Sequence, residues 1–336
     1  MRQNHTISII FVKTILDCIS NDEHETEKLL MLAGVKLALL KKPQSRITPL
    51  QFSKLIKVIS TTYKDEFLGL SKEPMPLGSF LLLARNVIHC NNLFEVYKNT
   101  EMALTAMTKQ LSLKLIIEPT QASVHFQVQS LDQNSEIILT ELAMLIWHRF
   151  PSWLLGKEIP LSQVCLPYGK TTHISEYLLM FSTDNITFNC ETAKLVFPIQ
   201  YLDSPCKRSP MALKKYIEQL PEYWFKRVQL ADTSSIVSNE CLKLMAISSD
   251  ISMVSIAQKM NKSVRTLRRN LSVEKRSFNQ LKAQFLRDKA IHLLTETTSS
   301  IETIAYRLGY TEAATFSRVF KQWTGSTPRE YRNYTE

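Results

Sequence analysis

Apolar residues recur at helical spacing in two segments near the end of the chain, and each segment is interrupted by one residue that tolerates a positive φ. Asn261 takes this place in the first segment and Gly309 in the second. Gly and Asn most readily adopt the left-handed conformation that a sharp turn between two helices requires. The pattern predicts two helix-turn-helix units, at about 252–272 and about 300–322.

Local signals support both units. Ser263 and Thr311 are suited to cap the second helix of each unit, and Ala257 and Ala305 lie 48 residues apart at equivalent places where the helices must approach closely. Between the units, apolar residues at helical spacing predict an amphipathic linker helix at about 277–295. A rigid helix there fixes the separation of the two units.

Charge is concentrated in the same part of the chain. Residues 233–336 hold 16 Lys and Arg against 9 Asp and Glu, so +7 of the total net charge of +10 lies there. A basic surface attracts phosphate through counterion release. Arg265, Arg268 and Arg269 lie three and four apart and share a helix face, which favours a binding surface over scattered solvated charges.

The segment from about 239 to 334 resembles the DNA-binding domain of the AraC/XylS family of bacterial transcription regulators. The resemblance covers both predicted units and a closing segment. It is carried by the runs Ser263 to Arg269, Ile304-Ala305, Leu308-Gly309-Tyr310, Phe316 to Lys321 and Gly325 to Arg332. It implies double-stranded DNA as the partner, with the second helix of each unit in the major groove.

Position by position, the resemblance implies eight DNA-binding residues, namely Ser263, Arg265, Arg268, Arg269, Thr315, Ser317, Arg318 and Lys321. Arg265 or Arg268 is expected to contact guanine, because a guanidinium donates two hydrogen bonds to its O6 and N7 atoms. Phosphate contacts are expected from Ser263, Arg269, Lys321 and the segment around Thr327. For Arg318 the alternative is a salt bridge to Glu312 or Glu302.

The whole chain is predicted to be multi-domain, with an α+β N-terminal sensory or dimerisation domain at 1–228, a linker at 229–238 and an all-α DNA-binding domain at 239–334. The first 228 residues are enough for a core of their own. Apolar patterns there predict helices at 11–19, 29–33 ending at Gly34, 49–63, 93–109 and 136–150, and strands at 114–118, 124–129, 186–188 and 195–198.

The N-terminal part resembles the ligand-binding or dimerisation half of one AraC/XylS branch, which includes ornithine-utilisation-type regulators. The resemblance implies a small-molecule effector, a homodimer and RNA polymerase as partners, and activation of transcription. Four aromatic residues could line a pocket or belong to the core, namely Tyr168, Tyr177, Trp147 and Trp153. Core is the commoner role of such side chains. A constitutive regulator whose N-terminal domain only recruits a protein partner remains an alternative.

No enzymatic chemistry is predicted, and no cofactor or metal. His173 and Glu176 lack a third ligand nearby in sequence and are expected to be surface or satisfied polar groups. None of the six cysteines forms a Cys-x-x-Cys pair. No targeting segment or membrane span is expected, so the predicted location is cytoplasmic. The alternative from another class is a DNA-repair methyl acceptor using Cys206. The run Pro205 to Arg208 is similar to the Pro-Cys-His-Arg motif of such proteins, but Lys207 stands in place of the activating His.

Overall fold

The computed structural model describes residues 5–20, 22–225, 237, 240–241, 251–273 and 276–334. The predicted linker at 229–238 lies outside the described residues except for Val237. The chain forms two compact units, which are named after the functions predicted from the sequence: the sensory unit (Ile10–Ala33 with Leu50–Val228) and the DNA-binding unit (Met1–Ile9, Gly34–Pro49 and Gln229–Glu336).

This division differs from the predicted domain at 1–228, which is continuous in the sequence. Met1–Ile9 and Gly34–Pro49 belong to the same compact unit as the C-terminal helices. The physical reason is a set of hydrogen bonds between residues almost 300 positions apart, which no local sequence pattern reveals. A domain boundary drawn along the sequence therefore differs from the boundary between compact units.

The sensory unit combines helices with one mixed sheet. The helices are α1 (Ile9–Ile19, whose first residue belongs to the other unit), α2 (Glu23–Leu32), α3 (Pro49–Tyr63), α4 (Ser79–Val87), α5 (Leu93–Met107), α6 (Gln133–Leu155), α7 (Tyr177–Phe181), α8 (Pro210–Glu218) and α9 (Glu222–Phe225). The strands of the sheet are β3 (Leu111–Ile117), β4 (Gln121–Val128), β5 (Gln163–Cys165), β6 (Ile186–Thr187) and β7 (Ala193–Pro198).

The sheet has the strand order β3-β4-β7-β5-β6, with antiparallel neighbours except for the parallel pair β5 and β6. Strand β3 alternates buried and exposed residues, with Leu111, Leu113 and Leu115 buried. That alternation is the signature of a sheet with one covered face. Helix α5 packs on β3 and helix α6 packs on β4 and β7, so the core lies between these helices and the sheet.

Most predicted elements of the sensory unit are confirmed. Helix α3 has the predicted bounds, and Gly34 ends the α2 region with φ 73°. Helix α6 is longer than predicted, because Asp132 caps it by accepting hydrogen bonds from the N–H groups of Asn134 and Ser135 at 2.8 and 3.0 Å. Helix α4 was not predicted.

The DNA-binding unit contains six described helices and a two-stranded sheet. The helices are α10 (Met253–Lys259), α11 (Val264–Val273), α12 (Phe278–Glu296), α13 (Ile301–Arg307), α14 (Ala313–Thr324) and α15 (Pro328–Asn333). The antiparallel strands are β1 (Ile7–Ser8) and β2 (Arg46–Ile47). Among the described residues, no helix combines the length and apolarity that crossing a bilayer demands.

Buried polar contacts join strands β1 and β2 to the C-terminal helices. The Thr6 hydroxyl donates to Asp288 of α12 at 2.7 Å, and the Arg46 guanidinium donates to the hydroxyl and carbonyl oxygens of Thr6 at 2.7 and 2.6 Å. The Tyr331 hydroxyl of α15 donates to the carbonyl oxygen of Arg46. These bonds lie at 9% exposure or less, so water does not compete for them. We call these four residues the Arg46 cluster.

Candidate nucleic-acid interface

Helices α10 and α11 form the first helix-turn-helix unit. Asn261 has the predicted positive φ, 52°, and the N–H of Lys262 donates to the carbonyl oxygen of Ala257 at 2.9 Å across the turn. The Ser263 hydroxyl accepts the N–H of Thr266 at 3.1 Å, which confirms Ser263 as the cap of α11. Ala257 is 2% exposed and Leu267 is fully buried, so the two helices share a closed apolar contact.

Helices α13 and α14 form the second unit with the same plan. Gly309 has φ 84°, and the N–H of Tyr310 donates to the carbonyl oxygen of Ala305 at 3.0 Å. Phe316 and Phe320 are both fully buried on α14, with ring centroids 5.7 Å apart. The prediction that these two rings fill the core between the helices is confirmed.

The predicted cap of α14 is wrong by one residue. The helix begins at Ala313, and the preceding Glu312 has the extended backbone of an N-cap without a side-chain hydrogen bond to the helix. Thr311 lies one position too early to cap that helix. The exposed first turn of α14 therefore keeps backbone N–H groups that are available to an anion such as a DNA phosphate.

Helix α12 links the two units and packs against the second one. Its buried residues recur along its length and include Phe278, Leu281, Ala290 and Leu294. It packs against α13, α14 and α15. Ser277 caps it and forms a reciprocal capping box with Gln280, which fixes where the helix starts. The predicted linker helix at about 277–295 is thus observed one residue shorter at its start and one residue longer at its end.

The predicted DNA contacts lie on the outer faces of α11 and α14. Seven of the eight are exposed and Ser317 is half-buried: Ser263, Arg265, Arg268, Arg269, Thr315, Arg318 and Lys321. Behind them, Leu267 and Leu271 of α11 and the two buried phenylalanines of α14 face the core. Each helix therefore presents a polar, basic face to solvent while its apolar face is held in place.

The cations on these faces form no close ion pair within the described part of the chain, although the charge of Lys321 helps to lower the pKa of Glu330. Over the described ranges, no ion pair involves Arg265, Arg268, Arg269 or Lys321. The alternative salt bridge from Arg318 to Glu312 or Glu302 is likewise not formed within the described part of the chain. The positive charge on both helices is left for an external anion.

The hydroxyls of Ser263 and Thr327 already have intramolecular partners. Ser263 pairs with the N–H and the hydroxyl of Thr266, the latter at 2.8 Å. The Thr327 hydroxyl caps α15 by accepting the N–H of Glu330, and the Glu330 carboxylate accepts the N–H of Thr327 at 2.8 Å. These hydrogen bonds lower the pKa of Glu330. If either hydroxyl contacts a phosphate, the same hydroxyl has to serve both that contact and its helix cap.

Cys206 lacks the surroundings of a methyl acceptor. Burial, followed by the nearby Cys90 and Glu95, raises the pKa of its thiol to about 11. A thiol of that pKa is overwhelmingly protonated at neutral pH, whereas the thiolate is the nucleophile. Lys207, which stands in place of the activating His, donates its backbone N–H to the Leu154 carbonyl oxygen at 2.8 Å. The repair alternative has no support in this geometry.

His173 and Glu176 are buried and have polar partners, so of the two predicted roles the structure supports the hydrogen-bonded polar group and not the surface residue. They are 1% and 3% exposed. The His173 Nε2 atom lies 2.9 Å from Oε2 of Glu141. The other carboxylate oxygen, Oε1, accepts hydrogen bonds from the hydroxyl groups of Tyr168, at 3.1 Å, and Tyr177. We call this group the Glu141 cluster. No set of three potential metal ligands occurs among the described residues.

The four aromatic candidates in the sensory unit have different roles. Tyr168 and Tyr177 belong to the Glu141 cluster, and Trp153 lies 4.3 Å from Tyr216 between ring centroids. Only Trp147 of these four lines a large cavity, whose volume is about 390 Å³. The sequence pattern does not reveal this cavity, because its walls are mainly apolar residues that resemble an ordinary core.

Family models match both parts of the chain. Residues 24–206 match the model described as the arabinose-binding domain of the AraC transcription regulator, N-terminal part, and residues 256–334 match a helix-turn-helix domain. The ornithine utilization regulator of Pseudomonas aeruginosa is 22% identical over 329 residues, covering 97% of this chain and 96% of that protein.

Shorter or more distant similarities extend to other regulators. The transcriptional activator CsvR of Escherichia coli is 37% identical over 79 residues, which is 24% of this chain and 30% of CsvR. The crystal structure of the transcriptional regulator CdpR from Pseudomonas aeruginosa is 18% identical, with a TM-score of 0.32, covering 85% of this chain and 87% of that one. The match to the arabinose-binding domain alone spans more than half of the sequence. The second match follows it in the chain and overlaps both helix-turn-helix units described above. The chain belongs to the AraC family of transcription regulators.

Proposed function

We propose that this regulator binds asymmetric sites in double-stranded DNA by placing α11 and α14 in successive major grooves, about one helical turn or ~34 Å apart. The observation that carries the proposal is the matched pair of exposed basic faces, each held by buried apolar residues against the rest of the DNA-binding unit. A helix with this division of faces fits a groove whose floor carries hydrogen-bonding base edges and whose rims carry phosphates.

The eight exposed or half-buried residues divide by chemistry. Arg265 or Arg268 is proposed to contact guanine, because both guanidinium groups are exposed and form no ion pair within the described ranges. Arg269 and Lys321 are proposed to contact phosphates, together with the caps at Ser263 and Thr327. Thr315, Ser317 and Arg318 are proposed to contact base edges in the second groove.

Control by the sensory unit completes the proposal. A small molecule bound in that unit is proposed to shift the protein between states of different DNA affinity. We further propose that the protein forms a homodimer and activates transcription with RNA polymerase in the cytoplasm. These proposals follow the similarity to regulators and activators of this family. The full-length similarity to an ornithine utilization regulator supports a sensory role without defining the effector.

The test is selection of binding sites from random-sequence duplex pools with the full-length protein. A motif of two blocks about one helical turn apart is expected. Arg268→Ala should cost about 1 to 3 kcal/mol of binding free energy and relax preference at one position. Lys114→Ala, which removes an exposed charge from strand β3, is the charge-matched control and should change neither affinity nor preference.

Two outcomes would contradict this assignment. If Arg268→Ala weakened binding to all sequences equally, Arg268 would be a phosphate contact. If no motif were enriched with or without any added candidate effector, paired major-groove recognition would be wrong.

A further inference from the structure

The described residues that line the cavity of about 390 Å³ all belong to the sensory unit. Its walls come from α3, α4, α5, β3, α6 and the segment from α8 to α9, with the loop between α3 and α4 closing one side. This volume falls in the lower part of the range of small-molecule sites, which is about 300–1,000 Å³. The cavity is therefore large enough for a small ligand and too large to be a packing defect.

Apolar side chains dominate the walls, including Leu68, Leu104, Leu139, Leu142 and the aromatic pair Phe80 and Trp147. These two rings lie 6.2 Å apart between centroids, and Phe80 also meets Trp224 edge-on at 4.9 Å. Such walls favour hydrocarbon and aromatic ligands, because binding removes apolar surface of both the ligand and the protein from water.

Besides the indole N–H groups of Trp147 and Trp224, the described walls carry few polar side chains, and two of these already form hydrogen bonds. Only Lys57, Ser60 and Glu66 carry charged or hydroxyl side chains. The Glu66 carboxylate accepts hydrogen bonds from the backbone N–H groups of Gly78 and Phe80 at 2.7 and 2.8 Å, and the Ser60 hydroxyl donates to the carbonyl oxygen of Lys57 at 3.1 Å. The Lys57 side chain is exposed and so belongs to the solvent side of the cavity.

A sugar is a poor match for these walls. Each sugar hydroxyl buried without a hydrogen-bond partner costs free energy, and a site that recognises a polyol has to supply several convergent donors and acceptors. The described wall side chains supply one carboxylate, one hydroxyl, one exposed ammonium and the two indole N–H groups of Trp147 and Trp224, and the carboxylate and the hydroxyl already bond to the protein backbone. The matching family model is described as arabinose-binding, and this cavity lacks the chemistry for that ligand.

We infer that the cavity is the effector site of the sensory unit and that it takes a mainly aliphatic or aromatic small molecule with at most one polar head group, held at the Lys57 side. This inference rests on the proposed sensory function. Ala143 of α6 offers a direct way to change the site, because it is 6% exposed, lines the cavity and has room to be enlarged.

The experiment measures binding of the neutral fluorescent probe N-phenyl-1-naphthylamine to the full-length protein without DNA. Saturable binding at a single site is expected, with displacement by decanol and none by arabinose. Ala143→Phe should weaken probe binding by about tenfold or more, because the added ring occupies the cavity. Ala103→Phe, a half-buried position on α5 that does not line the cavity, is the matched control and should bind the probe like the parent protein.

If Ala143→Phe fails to fold, Ile146→Gln provides a second variant. Ile146 lines the cavity from a half-buried position, so the polar substitution disturbs packing less. It should weaken probe binding in the same direction. The inference is overturned if no saturable binding occurs, if arabinose displaces the probe, or if folded cavity variants bind the probe as tightly as Ala103→Phe.

These readouts are independent of DNA. Failure of probe binding with successful selection of a DNA motif would reject the ligand class and leave DNA recognition standing. Probe binding with no selected DNA motif would reject the proposed function and leave the cavity as an apolar binding site. A change in DNA affinity on adding decanol would connect the two.

Discussion

The hydroxyl of Tyr331 donates to the carbonyl oxygen of Arg46 and accepts the backbone N–H of the same residue at 3.3 Å. The Tyr331 side chain is fully buried and meets Phe320 edge-on, with 5.3 Å between ring centroids. One phenol thus serves both backbone polar groups of a residue 285 positions away. Helix α15 is thereby joined to strand β2, and burial raises the pKa of the phenol.

Replacing Tyr331 with Phe should lower the free energy of unfolding by about 1–3 kcal/mol. The ring packing is kept, but two buried backbone groups of Arg46 lose their partner, and an unsatisfied buried polar group is costly. Urea unfolding of the full-length protein measures the effect. Tyr306→Phe is the control, because Tyr306 is 76% exposed and its hydroxyl is solvated. Equal stability of both variants would show that the Arg46 cluster contributes nothing.

The two inter-helix turns should respond differently to substitution. Gly309→Ala should lower the free energy of unfolding by about 1–2 kcal/mol, because an L side chain at φ 84° is strained. Asn261→Gly, at φ 52° in the other turn, should change it by no more than about 0.5 kcal/mol, since Gly adopts this conformation freely. Thermal unfolding of both variants decides the point, and a harmless Gly309→Ala would refute the turn geometry.

Glu141→Ala should be strongly destabilising, by more than about 3 kcal/mol. Glu141 is fully buried and hydrogen-bonds to three side chains of the Glu141 cluster. Its removal would leave Tyr168 and His173 without this partner, and Tyr177 with the Thr171 hydroxyl alone. Glu136→Ala on the exposed face of the same helix should cost at most about 1 kcal/mol, through the helix dipole. Similar losses of unfolding free energy in the two variants would mean that the buried carboxylate is dispensable.

His148 should make the protein sensitive to acid. Burial, reinforced by the charge of Arg149, lowers the pKa of this imidazole from 6.5 to about 3. At a pH between these two pKa values, the unfolded chain binds a proton on His148 that the folded chain excludes. The contribution of the neutral imidazole to the free energy of unfolding is therefore fully present above pH 6.5 and decreases as the pH falls towards 3. From pH 7 to pH 5 this group alone should remove about 2 kcal/mol.

His148→Gln tests this dependence, because its amide can still donate to the Ile159 carbonyl oxygen, which lies 2.8 Å from the His148 Nε2 atom. The variant should lose less stability than the parent protein when urea unfolding at pH 7 and pH 5 is compared. His89→Gln, at an exposed position, should keep the parent dependence. A pH dependence unchanged by His148→Gln would show that another group is responsible.

Local sequence signals were sufficient where structure depends on neighbouring residues. Thr48 and Pro49 placed the start of α3 correctly, and Gly309 and Asn261 placed both turns. Strands β1 and β2 could not be foreseen, because each has two residues and is held by contacts from the far end of the chain. The cavity was missed for a related reason. Apolar wall residues and apolar core residues carry the same sequence pattern, and only the three-dimensional arrangement leaves space between them.

Helix α3 begins at Pro49, the last residue of a segment that belongs to the DNA-binding unit, and three of its later residues line the cavity: Ile56, Lys57 and Ser60. The polypeptide enters and leaves the DNA-binding unit several times. Recombination between relatives that exchanges only the residues after the linker would therefore separate Tyr331 and Asp288 from the Thr6 and Arg46 with which they are paired. Chimeric regulators of this architecture should work best when the two short N-terminal segments are exchanged together with the C-terminal helices.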